Sequence, residues 1–121
     1  MLSEKTKAGI IGVGHLGQHH AKHYDLRNDV TLVGVYDTNP NRAKQIAKQY
    51  NTKFFDTPQA LMKICDGVSI VTPTESHYSV AKMAIEDFNC HVFIEKPITE
   101  TVEQADDLIK SAKTKDKLIQ V

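Results

Sequence analysis

Short apolar runs rich in β-branched residues alternate along this chain with segments whose apolar residues recur at helical spacing, and that alternation admits few folds. Residues 8–13 and 30–36 are nearly continuous hydrophobic stretches, as strands of a parallel sheet covered on both faces should be. Further strands are predicted at 53–55, 68–71, 91–94 and 118–121. Between them lie helices. Residues 15–26 and 41–50 come first, the second with Ala43, Ile46, Ala47 and Tyr50 on one stripe. A short helix is capped by Thr57 and Pro58 and runs to about residue 64. Residues 75–87 carry Ala81, Ala84, Ile85 and Phe88 on one face, and Thr101 with Gln104 forms a capping box before the last helix. Six strands and five or six helices in strict alternation predict one α/β domain over residues 1–121, a doubly wound parallel sheet of Rossmann type with helices on both faces.

The first strand runs into Gly12-Val13-Gly14-His15-Leu16-Gly17, a G-x-G-x-x-G turn that opens a helix. Gly12 permits the tight turn, Gly14 lets the backbone approach a pyrophosphate, and Gly17 lets helix and strand pack closely. The phosphates would meet the free amides and positive dipole end of that helix, so all six residues are candidate cofactor contacts. Twenty residues after Gly17, at the end of the second strand, stands Asp37, the separation expected of the acid that receives the adenosine ribose hydroxyls. A carboxylate there favours NAD over NADP, whose 2′-phosphate would face a like charge. Arg42 keeps NADP open as an alternative, its plainer reading being a solvated residue early in a helix.

Ligands of such sheets bind outside the carboxyl ends of the strands. The fourth predicted strand leads into Thr72-Pro73-Thr74-Glu75-Ser76-His77 and the fifth into Glu95-Lys96-Pro97. Proline cannot extend a ladder and restricts the residue before it, so each strand end becomes a fixed platform for polar side chains. Lys96 is the candidate catalytic residue, able to bind a substrate oxygen or donate a proton; its plainer reading is a surface lysine paired with Glu95.

The glycine turn, Asp37, Thr72-Pro73-Thr74 with His77, and Glu95-Lys96-Pro97, in that order and spacing, resemble the N-terminal domain of the glucose-fructose oxidoreductase and inositol dehydrogenase family over essentially the whole chain. The resemblance implies an NAD(P)-dependent oxidoreductase moving a hydride between nicotinamide and a hydroxyl or carbonyl of a sugar, cyclitol or related small molecule. It implies that Thr72 and Pro73 line the nicotinamide side, that His77 lies near it, that Thr74, Glu95 and Pro97 belong to the cofactor site, that Lys96 reaches the reacting centre and that the Lys96–Pro97 peptide is cis. It also implies a homo-oligomer whose second domain, carrying most of the substrate pocket, is not in this chain. These 121 residues are therefore expected to be a fragment that binds cofactor without turnover.

Other residues invite different chemistry. His19 and His23 share a helix face, but no further ligand at suitable spacing completes a site except Asp25, and no metal is expected. Cys65 and Cys90 read as small buried residues, form no C-x-x-C pair, and with a polar N-terminus and no long apolar run place the chain in the cytoplasm, off the membrane. Fifteen basic against fifteen acidic residues leave no net charge, and Phe54 and Phe55 lack interleaved basic residues beyond Lys53, so nucleic acid is not an expected partner. A non-catalytic NAD(P)-binding sensor or regulatory module would use the glycine turn and Asp37 but not Lys96. A methyltransferase would leave both proline-fixed strand ends without a purpose.

Overall fold

The computed structural model describes residues 5–25 and 29–121, without the side chains of His15, Leu16 and Asp25. Its elements are β1 (Thr6–Ile11), α1 (His15–Asp25), β2 (Val30–Tyr36), α2 (Pro40–Gln49), α3 (Pro58–Met62), β3 (Gly67–Ile70), α4 (Thr74–Phe88), β4 (His91–Ile94), α5 (Val102–Lys115) and β5 (Ile119–Gln120). All strand pairs are parallel, in the order β2-β1-β3-β4-β5.

Side chains alternate across this sheet and feed two cores. Ile10 and Val35 point to the face covered by α1 and α2, where they meet Ala21, Ala43, Ile46 and Ala47. Ile11, Ile70 and Ile94 point the other way, onto Leu61, Ala81, Ala84, Ile85 and Leu108 of α3, α4 and α5. Opposite faces are used because chain direction reverses after residues 53–55, which lie beside β2: moving outward from β1 puts the right-handed crossovers that contain α1 and α2 on one face, and returning to β3 puts the rest on the other.

The helix starts follow the sequence. Asn39 caps α2 by accepting from the amides of Asn41 and Arg42, and Thr57 caps α3 by accepting from Ala60 N. Thr101 accepts from Gln104 N at 3.1 Å, while the Gln104 amide oxygen accepts from Glu100 N, one residue earlier than a strict capping box requires.

One predicted strand is nearly lost. Residues 53–55 make a single parallel bridge, Phe54 to Val35, in which Val35 N donates to Lys53 O and Phe55 N to Val35 O. The ladder cannot grow in either direction. Thr52 N is committed to Ala47 O at the end of α2 while its hydroxyl takes Leu32 O, and Asp56 leads directly into the Thr57 cap and Pro58. The sheet therefore has five strands with this bridge beside β2, where a sixth was expected. The first strand also ends earlier than expected, at Ile11, because Gly12 (φ 96°) already turns the chain. The expected end of the first helix at residue 26 lies outside the described residues.

Candidate functional site

The two winding directions diverge between β1 and β3, and a crevice of about 250 Å³ opens there at the carboxyl ends of the strands. Gly12, Gly14, Asp37, Thr72 and Pro73 line it, so residues up to 61 positions apart in the chain meet on one edge. The glycines divide the work by space. A Cβ on Gly12 would lie 2.7 Å from Val71 O and one on Gly17 1.9 Å from Gly12 O, whereas one on Gly14 would meet nothing within 4 Å. Gly12 and Gly17 therefore let backbones touch, and Gly14 leaves bare backbone facing open space. The side chains of His15 and Leu16 lie outside the described residues; their backbone opens α1.

Asp37 is tied to the turn. Its Oδ2 accepts from Val13 N and its Oδ1 from Asn39 N, both at 2.8 Å, which fixes the carboxylate at the rim with unused lone pairs. Arg42 is committed to the same turn rather than solvated: Nε donates to Val13 O at 2.8 Å, Nη2 to Gln18 Oε1 at 2.9 Å and Nη1 to Gln45 Oε1 at 3.3 Å. Carboxylate and guanidinium thus hold the two sides of the Val13 peptide group region, one through its N–H and one through its C=O.

Across the crevice α4 starts at Thr74 after Pro73, which provides no side-chain cap, and Ser76 N closes the first turn onto Pro73 O at 3.0 Å. Ser76 Oγ donates at 2.7 Å to Thr72 Oγ1 and at 2.8 Å to Pro73 O; hydroxyl rotation selects one at a time. Ser76 and Thr38 also line the crevice and were not singled out from sequence. The signal for Ser76 was its position one helical turn after Thr72; Thr38 carried none beyond adjacency to Asp37.

The remaining candidates lie outside the crevice lining. His77 is buried at 1% exposure, with Nδ1 2.9 Å from Pro97 O and Nε2 2.8 Å from Thr72 O. Glu95 is paired with His20 at 3.0 Å, not with Lys96. Lys96 is exposed, and its peptide bond to Pro97 is cis.

A larger cleft of about 500 Å³ lies elsewhere, between α1 and the face of β4 and β5, lined by His19, His20, His23, Tyr24, Phe93 and Gln120 among others. It has volume without converging chemistry: among the described residues no group of three or more His, Cys, Asp or Glu could hold a metal ion. Cys65 and Cys90 are buried; desolvation, helped by Cys90 and Asp66, pushes the Cys65 thiol up to about 12, and desolvation, helped by Asp66 and opposed by Lys117, pushes the Cys90 thiol up to about 11. Neither is an activated nucleophile. No helix among the described residues is long and apolar enough to cross a membrane.

The sequence pattern of the oxidoreductase family with NAD-binding Rossmann fold, Gfo/Idh/MocA, matches residues 6–121. The chain belongs to this family. It is 43% identical over 106 residues to UDP-N-acetylglucosamine 3-dehydrogenase of Acidithiobacillus ferrooxidans, covering 88% of this chain and 33% of that protein. It is 37% identical over 123 residues to D-glucoside 3-dehydrogenase of Escherichia coli, covering 98% and 35%, and 32% identical over 99 residues to glucose-6-phosphate 3-dehydrogenase of Bacillus subtilis, covering 82% and 28%. A solved structure of the Acidithiobacillus enzyme superimposes with a TM-score of 0.90 over 97% of this chain and 38% of its own. The chain thus spans about a third of the length of these relatives and corresponds to the family's NAD-binding Rossmann domain.

Proposed function

We propose that these residues are the NAD-binding part of a cytoplasmic dehydrogenase acting on a secondary hydroxyl of a sugar, in a longer, homo-oligomeric polypeptide whose further length selects the substrate. The observation that carries the reading is the joining of Asp37, the glycine turn and Arg42 at the mouth of the switch-point crevice. The bare backbone at Gly14 fits a pyrophosphate, and the free lone pairs of Asp37 fit the two hydroxyls of an adenosine ribose. NAD is favoured over NADP because the Asp37 carboxylate would face a 2′-phosphate with a like charge, and Arg42, the nearest candidate for that phosphate, is held on Val13, Gln18 and Gln45 by three of its five N–H donors. The three relatives share a name for action at the 3 position of a sugar or glycoside, which supports that substrate class here.

The nicotinamide supplies the hydride acceptor. This chain's own part is to hold it: Thr72 and Pro73 form the wall opposite the glycine turn, with Thr74 following them as the first residue of α4, and Lys96, exposed just past β4, offers a cation to the substrate oxygen. His77, Glu95 and Pro97 act behind that surface rather than upon it.

Calorimetric titration of the chain with NAD and NADP, repeated on Asp37→Ala, tests the reading. Tighter binding of NAD, weakened by the substitution, is expected. Preference for NADP would overturn the cofactor assignment, and a folded chain binding neither would overturn the site. In the longer enzyme, full turnover by Lys96→Ala would overturn the catalytic role given to Lys96.

A further inference from the structure

The corner formed by Glu95, Lys96 and Pro97 leaves the sheet without regular structure, yet it carries the one ammonium group at the end of β4. Its ties to the body are few and specific. Glu95 N donates to Ile70 O at 3.1 Å, which continues the β3–β4 ladder by one rung. Glu95 Oε2 is 3.0 Å from His20 Nε2, on α1 and therefore on one face of the sheet. The His20 ring is itself set edge-on against Phe93, with centroids 5.1 Å apart at 68°, so its direction is fixed by a residue of β4 two places before Glu95. From the other face, buried His77 on α4 reaches Pro97 O with Nδ1 and Thr72 O with Nε2. One ring therefore spans the two proline-bearing turns that follow β3 and β4.

A histidine that merely filled the core would meet apolar neighbours or a helix carbonyl. His77 instead sets both nitrogens against backbone carbonyls of the two turns at the ligand edge, its tautomer deciding which carbonyl a single N–H serves, and His20 meets the acid next to Lys96. We infer that His20 and His77 are positioning residues that grip the Glu95–Lys96–Pro97 corner from opposite faces of the sheet, fixing Lys96 relative to the Thr72–Pro73 wall. The inference rests on the reading that the crevice takes a nicotinamide dinucleotide, and it adds two residues that touch neither cofactor nor substrate.

The test separates the nicotinamide end of the cofactor from the adenosine end. The chain and its His20→Asn, His77→Gln and His77→Asn variants are titrated with NAD and with ADP-ribose, which keeps the adenosine, pyrophosphate and second ribose but lacks the nicotinamide. Amide spectra are recorded without ligand. An asparagine nitrogen approximates Nδ1 and a glutamine nitrogen approximates Nε2, so His77→Asn retains the bond to Pro97 O and His77→Gln gives it up. His20→Asn and His77→Gln are expected to weaken NAD about tenfold, the equivalent of one hydrogen bond of the stronger kind, with ADP-ribose unchanged within about twofold. His77→Asn is expected to lose less. Resonances of residues 95–98 should move in the first two variants while those of 12–17 stay. Parallel loss of both ligands, equal loss in the two His77 variants, or unmoved resonances at 95–98 would each overturn the inference. If the parent chain binds neither ligand, the functional reading fails, and the spectra alone then decide whether these histidines hold the corner.

Discussion

Gly14 and Gly17 stand three residues apart in one motif and should fail in opposite ways when each is changed to alanine. At Gly17 an added Cβ would sit 1.9 Å from Gly12 O and 2.8 Å from Gly12 C, where real Cβ atoms are not found below 3.0 Å. The obstacle is backbone, so it cannot rotate away; α1 must retreat from the β1 turn by about 1 Å, dragging Ala21 out of its contacts with Ile10 and Val35. Overpacking of this kind costs about 1–3 kcal/mol, and a rigid clash belongs at the upper end. With about 4 °C lost per kcal/mol for a domain between the small and middle size classes, Gly17→Ala should melt roughly 10 °C below the parent. At Gly14 nothing lies within 4 Å and the backbone is outside the left-handed region. Among the described residues the methyl group therefore meets none beyond its chain neighbours, and Gly14→Ala should melt within about 2 °C of the parent. Its methyl nevertheless stands over the bare backbone proposed for the pyrophosphate, so NAD affinity should fall at least tenfold, about 1.4 kcal/mol. Differential scanning calorimetry and isothermal titration on the two variants provide the double readout. A Gly14→Ala chain that binds NAD like the parent would refute the proposed approach of the cofactor, and a Gly17→Ala chain with parental melting would refute the packing argument.

Asp37→Asn keeps the size of the side chain but removes the negative charge and substitutes a donor for one acceptor; paired titrations should show weaker NAD binding and a narrower gap between NAD and NADP, since like charges about 4 Å apart repel by about 4 kcal/mol at an effective dielectric near 20 before exposure reduces it. The thiols of Cys65 and Cys90 are raised from 9.0 to about 12 and about 11, so the folded state favours their neutral forms: stability is intact below pH 9 and falls from pH 9 to about 11 for Cys90 and about 12 for Cys65, because the unfolded thiols ionise first. At pH 10 the loss is about 1.4 kcal/mol per thiol, about 3 kcal/mol together, and urea unfolding of the parent against Cys65→Ala/Cys90→Ala should show an alkaline decline steeper by that amount in the parent. Lys82 bonds Asp107 at 2.7 Å on the outside of α4 and α5 and, with Tyr78, holds the Asp107 carboxyl below its ordinary value. The contribution of this pair is therefore present above the ordinary carboxylate range and lost as pH falls through the lowered value; being at the surface, it should also vanish at 1 M salt, so the melting difference between parent and Asp107→Asn should close under either condition.

How much of this was legible beforehand depended on whether a residue's role was set by neighbours in the chain or across the sheet. Capping by Thr57 and Thr101 and the burial of Ala43, Ile46 and Ala47 are local and were read from the sequence pattern, whereas the Asn39 cap, which starts α2 at Pro40, was not. The strand at 53–55 also had local β-propensity, but its ladder partners were diverted by Thr52 at one end and by the Thr57 cap at the other, a competition that propensity does not express. The glycine turn and Asp37 were legible because their spacing is fixed by one β-α-β unit. Nothing local revealed that Arg42 would spend its guanidinium on Val13 O and Gln18, or that His77 would face inward onto two carbonyls. The Arg42 bonds and the contact with Pro97 O join elements whose approach depends on sheet order; Thr72, only 5 residues before His77, is the local exception.

Sheet order also explains why the glycine fingerprint and the Thr72 turn have to be read as one device. The chain leaves β1 toward β2 on one face and later returns to β3 on the other, so α1 and α4 diverge from neighbouring strands and cannot fill the space between their starts. The two turns are left in direct contact: the Cβ that Gly12 lacks would strike Val71 O at 2.7 Å and Thr72 N at 2.9 Å. Gly12 therefore serves a contact between two strand ends as well as its own φ of 96°. Any side chain there would push the Thr72 wall away from the turn and widen the crevice. The same displacement would strain the bond from His77 to Thr72 O, and through that ring the corner that presents Lys96. A change at Gly12 should thus be felt at both ends of the bound dinucleotide, whereas one at Gly14 should be felt only over the pyrophosphate. The difference follows from which backbone each missing methyl group would meet.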